Sequence, residues 1–153
     1  RLVGQGDQAI DQLFHLMPFE STHDDQPTFD PGQLTVSDST LTLTHPGQTG
    51  LAMAHSGAPA IGHICGQTNP PRGWTALLGE QPSHDVWFST QAILPMTTAV
   101  WIEPLPPGAK PTPPSVSLLQ GDAPVKCDIH TATAQRLRVT IDPAAMTAAL
   151  TSY

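Results

Sequence analysis

QLTVSDSTLTLT, residues 33–44, is the stretch that decides the fold, because its apolar and polar residues alternate with a period of two. Four apolar residues carry the alternation: Leu34, Val36, Leu41 and Leu43. A two-residue turn at Asp38 and Ser39 places all four on one face of a β-hairpin, although the spacing changes in the middle of the stretch. One long strand with a bulge near Asp38 is the alternative. Both interpretations predict β-structure.

Similar short apolar runs follow this stretch, and each is bounded by Gly, Pro, Ser or Asp. The runs cover residues 51–55, 60–65, 73–78, 85–90, 97–103, 115–120, 124–130 and 135–141. Their length and spacing are typical of an antiparallel sandwich or barrel. We therefore predict an all-β chain that folds as an antiparallel β-sandwich or jelly-roll-like domain.

The two ends of the chain depart from the period of two. In residues 7–17, DQAIDQLFHLM, the apolar residues have the spacing of one helical stripe. The stripe consists of Ile10, Leu13, Phe14 and Met17. Pro18 would end this helix, so residues 1–18 are predicted to form a helical N-terminal arm. Near the other end, Asp142 has the character of an N-cap and predicts a second short amphipathic helix over residues 143–151.

Length and composition predict a single domain over residues 1–153. Charged residues make up only 12% of the chain, which favours folding over disorder. Residues 104–114, PLPPGAKPTPP, are rich in proline and favour an extended conformation that cannot join the middle of a sheet. This segment is predicted to be a crossover or loop between sheets, with a recognition arm as the alternative.

The distribution of charge excludes two classes of partner. The net charge is −7, and no Lys or Arg occurs between Leu2 and Pro71. Binding to nucleic acids or to anionic membrane surfaces is therefore not expected, because both need clustered basic residues. The chain also has no apolar run of about 18 residues, so we predict no membrane insertion. Few lysines and a possible disulfide favour an extracellular, periplasmic or virion-surface location.

The two cysteines, Cys65 and Cys127, allow three interpretations. Both lie in apolar, strand-like runs, and no third cysteine competes for either of them. A disulfide between them is the prediction, since closing a long loop stabilises a folded chain. Two buried free thiols and a metal site are the alternatives.

The metal alternative depends on histidines near these cysteines. Cys127, His130 and Gln135 have the spacing C-x2-H-x4-Q. This spacing resembles the C-x2-H-x4-M loop of the cupredoxins, in which Cys and His are equatorial copper ligands and glutamine can replace the axial residue. The resemblance implies a copper site completed by an upstream histidine such as His55 or His63. Separately, His63 and Cys65 with Cys127 and His130 would give a set of two cysteines and two histidines for zinc. Strand alternation argues against both sites, because it places Cys127 and His130 on opposite faces.

Motifs of nucleophilic, zinc-dependent and phosphate-binding enzymes are lacking: the sequence has no G-x-S-x-G, no H-E-x-x-H and no Gly-rich phosphate loop. We therefore predict a non-enzymatic structural or binding module without a cofactor, which assembles with itself or with a protein partner at a surface. A viral capsid, decoration or spike domain and a secreted adhesion or assembly domain both fit this description. The alternatives are a metal-binding secreted protein of cupredoxin type and a secreted hydrolase. The candidate partner contacts are Ile10, Leu13, Phe14, Met17 and Trp74.

Overall fold

The computed structural model describes residues 2–23, 26–57, 59–75, 80–119, 124–142 and 144–153. Every regular element in these ranges is a β-strand, and all strand pairs are antiparallel. The prediction of an all-β antiparallel chain is therefore confirmed. No helix in the described ranges is long and apolar enough to cross a membrane.

The described residues form 17 strands. In chain order they are β1 (Leu2–Leu16), β2 (Phe19–His23), β3 (Gln26–Asp30), β4 (Gln33–Ser37), β5 (Thr40–Thr44), β6 (Gly50–His55), β7 (Ala60–Cys65), β8 (Gln67–Thr68), β9 (Pro71–Arg72), β10 (Trp74–Thr75), β11 (Gln81–Pro82), β12 (His84–Met96), β13 (Val100–Leu105), β14 (Ser115–Leu119), β15 (Val125–His130), β16 (Arg136–Asp142) and β17 (Thr147–Ser152). Three sheets contain most of them: a first sheet with strand order β1-β12-β7, a central sheet with order β13-β6-β5-β4, and a C-terminal sheet with order β14-β15-β16-β17.

The central sheet contains the hairpin that the alternation predicted. In β4 and β5, Leu34 lies opposite Leu43 and Val36 lies opposite Leu41. Asp38 occupies the turn with a φ of 46°, a left-handed conformation that aspartate tolerates better than most residues. The two-residue turn is thus confirmed, and the alternative of a single bulged strand is wrong.

Both faces of the central sheet contribute to the core. Met53 and Ala54 are fully buried neighbours in β6 and therefore point to opposite faces. Met53 joins a cluster that contains Phe88 of the first sheet. Ala54 joins a second cluster that contains Cys127 and Ile129 of the C-terminal sheet. The central sheet consequently packs against the first sheet through one cluster and against the C-terminal sheet through the other.

The predicted N-terminal helix over residues 7–17 is wrong, because β1 is a strand. From Gly6 to Leu16, every residue of β1 lies opposite a residue of β12. This pairing satisfies the backbone hydrogen bonds of β1 with a strand that is distant in sequence, and it overrides a weak local preference for helix. Phe14 and Leu16 also share a face in an extended chain, and both pack in the cluster around Phe88.

The predicted C-terminal helix is also wrong over residues 144–151, while residue 143 lies outside the described ranges. Asp142 Oδ1 does accept hydrogen bonds from the amides of Ala144 (2.9 Å) and Ala145 (3.1 Å), as an N-cap would. These bonds close a turn rather than start a helix, because Met146 has a φ of 53° and the chain reverses into β17. Pairing with β16 then satisfies the backbone of β17.

The proline-rich segment connects β13 of the central sheet to β14 of the C-terminal sheet. Thr112 holds it in place, since its amide and its hydroxyl both donate to the Ala132 carbonyl (3.2 and 3.1 Å). Pro114 is fully buried where the segment enters β14. The segment therefore passes from one sheet to the next with its end fixed in the core.

Candidate functional site

Three residues of the predicted apolar stripe separate onto the two faces of β1, and the fourth, Met17, follows the end of the strand. Phe14 packs edge-to-face on Phe88, with ring centroids 5.9 Å apart, and Ile10 is half-buried. Leu13 and Met17 are exposed. A strand separates residues with an odd difference in position, whereas a helix would have brought all four together. Leu13 and Met17 thus remain available to a partner, and Phe14 belongs to the core.

Trp74, the fifth predicted contact residue, has a role in local structure. Its indole Nε1 donates to the Gln67 carbonyl (2.7 Å), and its side chain is half-buried. Gly66 packs beside the same indole ring. Trp74 therefore stabilises the turns between β7 and β11.

The predicted disulfide is not formed, since Cys65 and Cys127 are both free thiols. Cys65 is exposed at the end of β7, which lies in the first sheet. Cys127 is buried in the middle of β15, which lies in the C-terminal sheet. Burial raises the pKa of both thiols, with smaller contributions from the negative charges of Asp30 at Cys65 and of Asp128 at Cys127. Neither thiol is activated as a nucleophile.

The predicted metal ligands are not brought together. His55 is buried and stacks on Phe88, with ring centroids 5.3 Å apart. His63 is exposed in the first sheet, while His130 and Gln135 are exposed at one end of the C-terminal sheet. Cys127 is buried on the opposite face of β15 from His130, as strand alternation requires. Within the described ranges, no group of three or more His, Cys, Asp or Glu could hold a metal ion, so neither the copper nor the zinc set is assembled.

A polar cluster that the sequence did not indicate lies where β1 and β12 meet. His15 and Asp85 are directly opposite each other, and their Nδ1 and Oδ1 atoms are 2.6 Å apart. The other ring nitrogen of His15, Nε2, lies 3.3 Å from Ser83 Oγ. The connectivity of these three side chains is that of a Ser-His-Asp triad.

Burial of the serine argues against a nucleophilic role for this cluster. Ser83 is 0% exposed, and its amide is held by a hydrogen bond to the Gly73 carbonyl (2.8 Å). A nucleophile must come within about 3 Å of the substrate atom that it attacks, and no substrate reaches Ser83 in this conformation. The cluster instead connects β1, β12 and the turn at Gly73.

Asp85 is the centre of these interactions. Burial acts to raise the pKa of its carboxyl, but the hydrogen bonds from His15 and from the Gly73 amide, together with the charges of His15 and Arg72, outweigh it and hold the pKa below its ordinary value. The Arg72 guanidinium also lies 4.9 Å from the ring centroid of Trp87. Trp87 in turn covers Gly62, where any side chain would collide with the indole.

An open cavity of about 710 Å³ lies between the outer face of β4 and β5 and the loop at residues 105–111. Its floor carries two cross-strand pairs of polar side chains: Gln33 with Thr44, and Thr35 with Thr42. Lys110 and Asp30 contribute one charge of each sign. The lining can donate and accept hydrogen bonds with an uncharged polar ligand.

A two-stranded ribbon extends from the first sheet. β12 pairs with β7 only from His84 to Ser89, whereas its pairing with β1 continues to Met96. Residues 2–10 and 90–96 therefore form a ribbon with no third strand in the described structure. Ile93 in this ribbon is 73% exposed. The ribbon presents two strand edges and an apolar side chain to solvent.

A second uncovered surface lies on the C-terminal sheet. Four residues form one cross-strand row on its core-facing side: Leu118, Cys127, Val139 and Leu150. Cys127 is 5% exposed, and Leu150 at the end of the row is 61% exposed. The apolar face of this sheet thus continues beyond the part that the described core covers.

Sequence reasoning missed the ribbon and the His15 cluster for the same reason. If residues 7–17 form a helix, they cannot pair with β12. The helical interpretation therefore gives no indication that His15 lies beside β12. The available signal was the short apolar run at residues 85–90, which predicted a strand there. That run did not identify β1 as the partner strand.

Comparison of the chain with protein-family models, with curated proteins and with solved structures gives no match. The comparisons therefore assign no family to the chain. The function of the uncovered surfaces and of the polar cluster has to be inferred from their own chemistry.

Proposed function

We propose that this chain is a non-enzymatic assembly module, a structural subunit that binds other protein chains through exposed β-structure. The observation that carries the proposal is the two-stranded ribbon of residues 2–10 and 90–96. A capsid, decoration or spike domain of a virus, or a secreted adhesion or assembly domain, would use such a subunit. Extended strands that project from a packed domain are suited to reaching a neighbouring chain.

The energetics of the ribbon support a partner. An isolated pair of strands is at best marginally stable in water, and a third strand or a packing layer is normally needed. Neither the cluster that contains Phe88 nor the cluster that contains Cys127 includes a residue of the 90–96 segment. The side chain of Ile93 in this segment is exposed to solvent. A protein partner that packs on this segment would supply the missing layer.

A β-sandwich or jelly-roll-like arrangement remains our proposal for the finer architecture. Its support is the pair of core clusters, which lie on opposite faces of the central sheet. Two sheets that pack face to face typically share such a core. An extracellular, periplasmic or virion-surface location is likewise proposed on the low lysine content, since the disulfide that also favoured it is not formed.

The proposal is tested by the mass of the purified chain and of two variants in multi-angle light scattering. The wild-type chain should form an oligomer, and Ile93→Asp should lower its mass, because a charge on the ribbon would have to be desolvated in the interface. Leu119→Asp is the matched control, since Leu119 is an exposed leucine on β14, away from the ribbon. A wild-type monomer at every concentration would contradict the assembly function, and equal masses for Ile93→Asp and the wild type would contradict the role of the ribbon in it.

A further inference from the structure

We infer that one partner of this chain is a second copy of itself, joined by antiparallel pairing of the two β17 strands. This inference rests on the proposed function and goes beyond it, because it names the partner and the register. It depends on the C-terminal sheet and not on the ribbon. The resulting dimer would contain one continuous sheet built from both C-terminal sheets.

The first argument is the free edge of β17. β17 is the last strand in the order β14-β15-β16-β17, and within the described part of the chain nothing pairs with its outer edge. All six residues of Thr147–Ser152 are exposed. Monomeric proteins usually protect such an edge with charges, proline or a bulge, but β17 contains no charged residue and no proline, and its pairing with β16 is regular.

The second argument is the apolar row that ends at Leu150. In an antiparallel pair, residues directly opposite each other point to the same face. If Leu150 lies opposite Leu150 of the second copy, the two apolar rows become continuous across the junction. Ala148 then lies opposite Ser152 of the second copy, on the same face. A shift of the register by one residue would place Leu150 opposite Thr151 of the second copy, so that the apolar row of that copy would point to the other face.

The third argument is the charge pattern of the β16–β17 hairpin. Arg138 is paired with Asp128 through two hydrogen bonds (2.6 and 2.8 Å). Arg136 and Asp142 remain at opposite ends of β16, and both point to the outer face. An antiparallel pair places Asp142 of each copy at the same end as Arg136 of the other, whereas a parallel pair would align like charges. The two β17 strands lie between these charges, so the charge pattern favours the antiparallel orientation over the parallel one without forming ion pairs across the junction.

The experiment introduces cysteine at the proposed twofold axis of the full chain. Leu150→Cys, combined with Cys65→Ser to remove the exposed native thiol, should form a disulfide-linked dimer under mild oxidation. Directly opposite residues have Cβ atoms about 4.5–5.5 Å apart, close to the separation in a disulfide. Thr147→Cys in the same background is the control. Its thiol would be about 20 Å from its counterpart in this register, given about 3.4 Å per residue.

Non-reducing electrophoresis should show a dimer for the majority of Leu150→Cys chains and a monomer for Thr147→Cys. Equal cross-linking at both positions would reveal random collision and overturn the inferred register. An oligomer in light scattering without cross-linking at position 150 would overturn self-pairing through β17 and leave the assembly function standing. A monomer in light scattering that also fails to cross-link would contradict both.

Discussion

Replacing Gly73 with alanine should destabilise the fold strongly, because the backbone surrounds this glycine. A Cβ atom at position 73 would lie 2.8 Å from the carbonyl oxygens of Ile64 and Ser83 and 3.0 Å from the Cα of Cys65. All three atoms belong to the main chain, so none can move as a flexible side chain would. The Gly73 carbonyl also accepts hydrogen bonds from the amides of Gly66 and Ser83 (both 2.8 Å). Any shift that relieves the collision would therefore also disturb these two bonds.

The expected loss of stability is the sum of two effects. Gly73 has a φ of +68°, and a side chain in this left-handed region costs about 1–2 kcal/mol. Forcing additional volume into a well-packed site costs about 1–3 kcal/mol more. Gly73→Ala should therefore lower the free energy of unfolding by about 2–5 kcal/mol. Urea denaturation followed by tryptophan fluorescence measures this loss, since the chain has three tryptophans.

Gly108→Ala separates the two effects. Gly108 has nearly the same φ, +71°, but a Cβ atom there would meet nothing within 4 Å. Only the conformational cost of about 1–2 kcal/mol is expected for this variant. Equal destabilisation by the two substitutions would refute the reasoning, because it would mean that the close approach of the backbone at Gly73 has no energetic consequence.

Two further changes test the buried polar groups. Glu103→Ala should lower the free energy of unfolding by about 3–6 kcal/mol in chemical denaturation, because the buried carboxylate accepts hydrogen bonds from the Trp101 indole and from a backbone amide, and each bond to a charged group contributes about 1.5–3 kcal/mol. Glu20→Ala removes an exposed carboxylate and should change the free energy of unfolding by less than about 0.5 kcal/mol. A similar loss in both variants would count against the role of the buried carboxylate. Burial lowers the pKa of His55 and of His84, so the unfolded chain binds more protons than the folded chain below the ordinary value of about 6.5. The stabilisation should therefore be fully present above about pH 6.5 and should decrease as the pH is lowered, by at most about 1.4 kcal/mol per pH unit for each histidine. Denaturation series from pH 7 to 5 measure this slope. If His55→Gln leaves the slope unchanged, His55 does not contribute to the pH dependence.

The fold class was predictable where neighbouring segments determine the structure. Residues 33–44 pair with each other across a two-residue turn, so their alternation and their turn residues lie in one short window. Residues 135–141, in which Leu137, Val139 and Ile141 alternate with polar residues, were also predicted to be a strand, and β16 spans Arg136–Asp142. In both cases the local pattern and the final pairing agree.

The ends of the chain could not be predicted in this way. Ile10 and Phe14 are four positions apart, which places them on one side of a helix and also on one face of a strand. Pairing with β12, whose residues are 68 to 94 positions away from their partners in β1, determines the choice between the two. At the other end, the hydrogen bonds that Asp142 accepts are those of a helix cap. However, Met146 has a positive φ that reverses the chain, and the following residues pair with β16. Local signals of this kind cannot distinguish a cap from a turn.

The candidate sites depended even more on pairing between distant segments. The disulfide prediction and the zinc alternative assumed that Cys65 and Cys127 would lie near each other, and the fold places them in different sheets. The copper alternative needed Cys127 and His130 to converge, and β15 directs them to opposite faces. His15 and Asp85 are neighbours only because β1 and β12 pair in one particular register. Residue types and spacing along the sequence do not contain that register.

Two separate surfaces have consequences for the size of the assembly. A contact between identical β17 strands has twofold symmetry and is complete after two chains. The ribbon of residues 2–10 and 90–96 lies on another sheet, so pairing at β17 does not use it. If the ribbon contacts a different surface of a neighbouring chain, dimers can join into larger closed rings or open filaments. Assembly should then proceed in steps of two chains, and Ile93→Asp should stop it at the dimer. Chains that also carry Leu150→Cys should still form the disulfide-linked dimer.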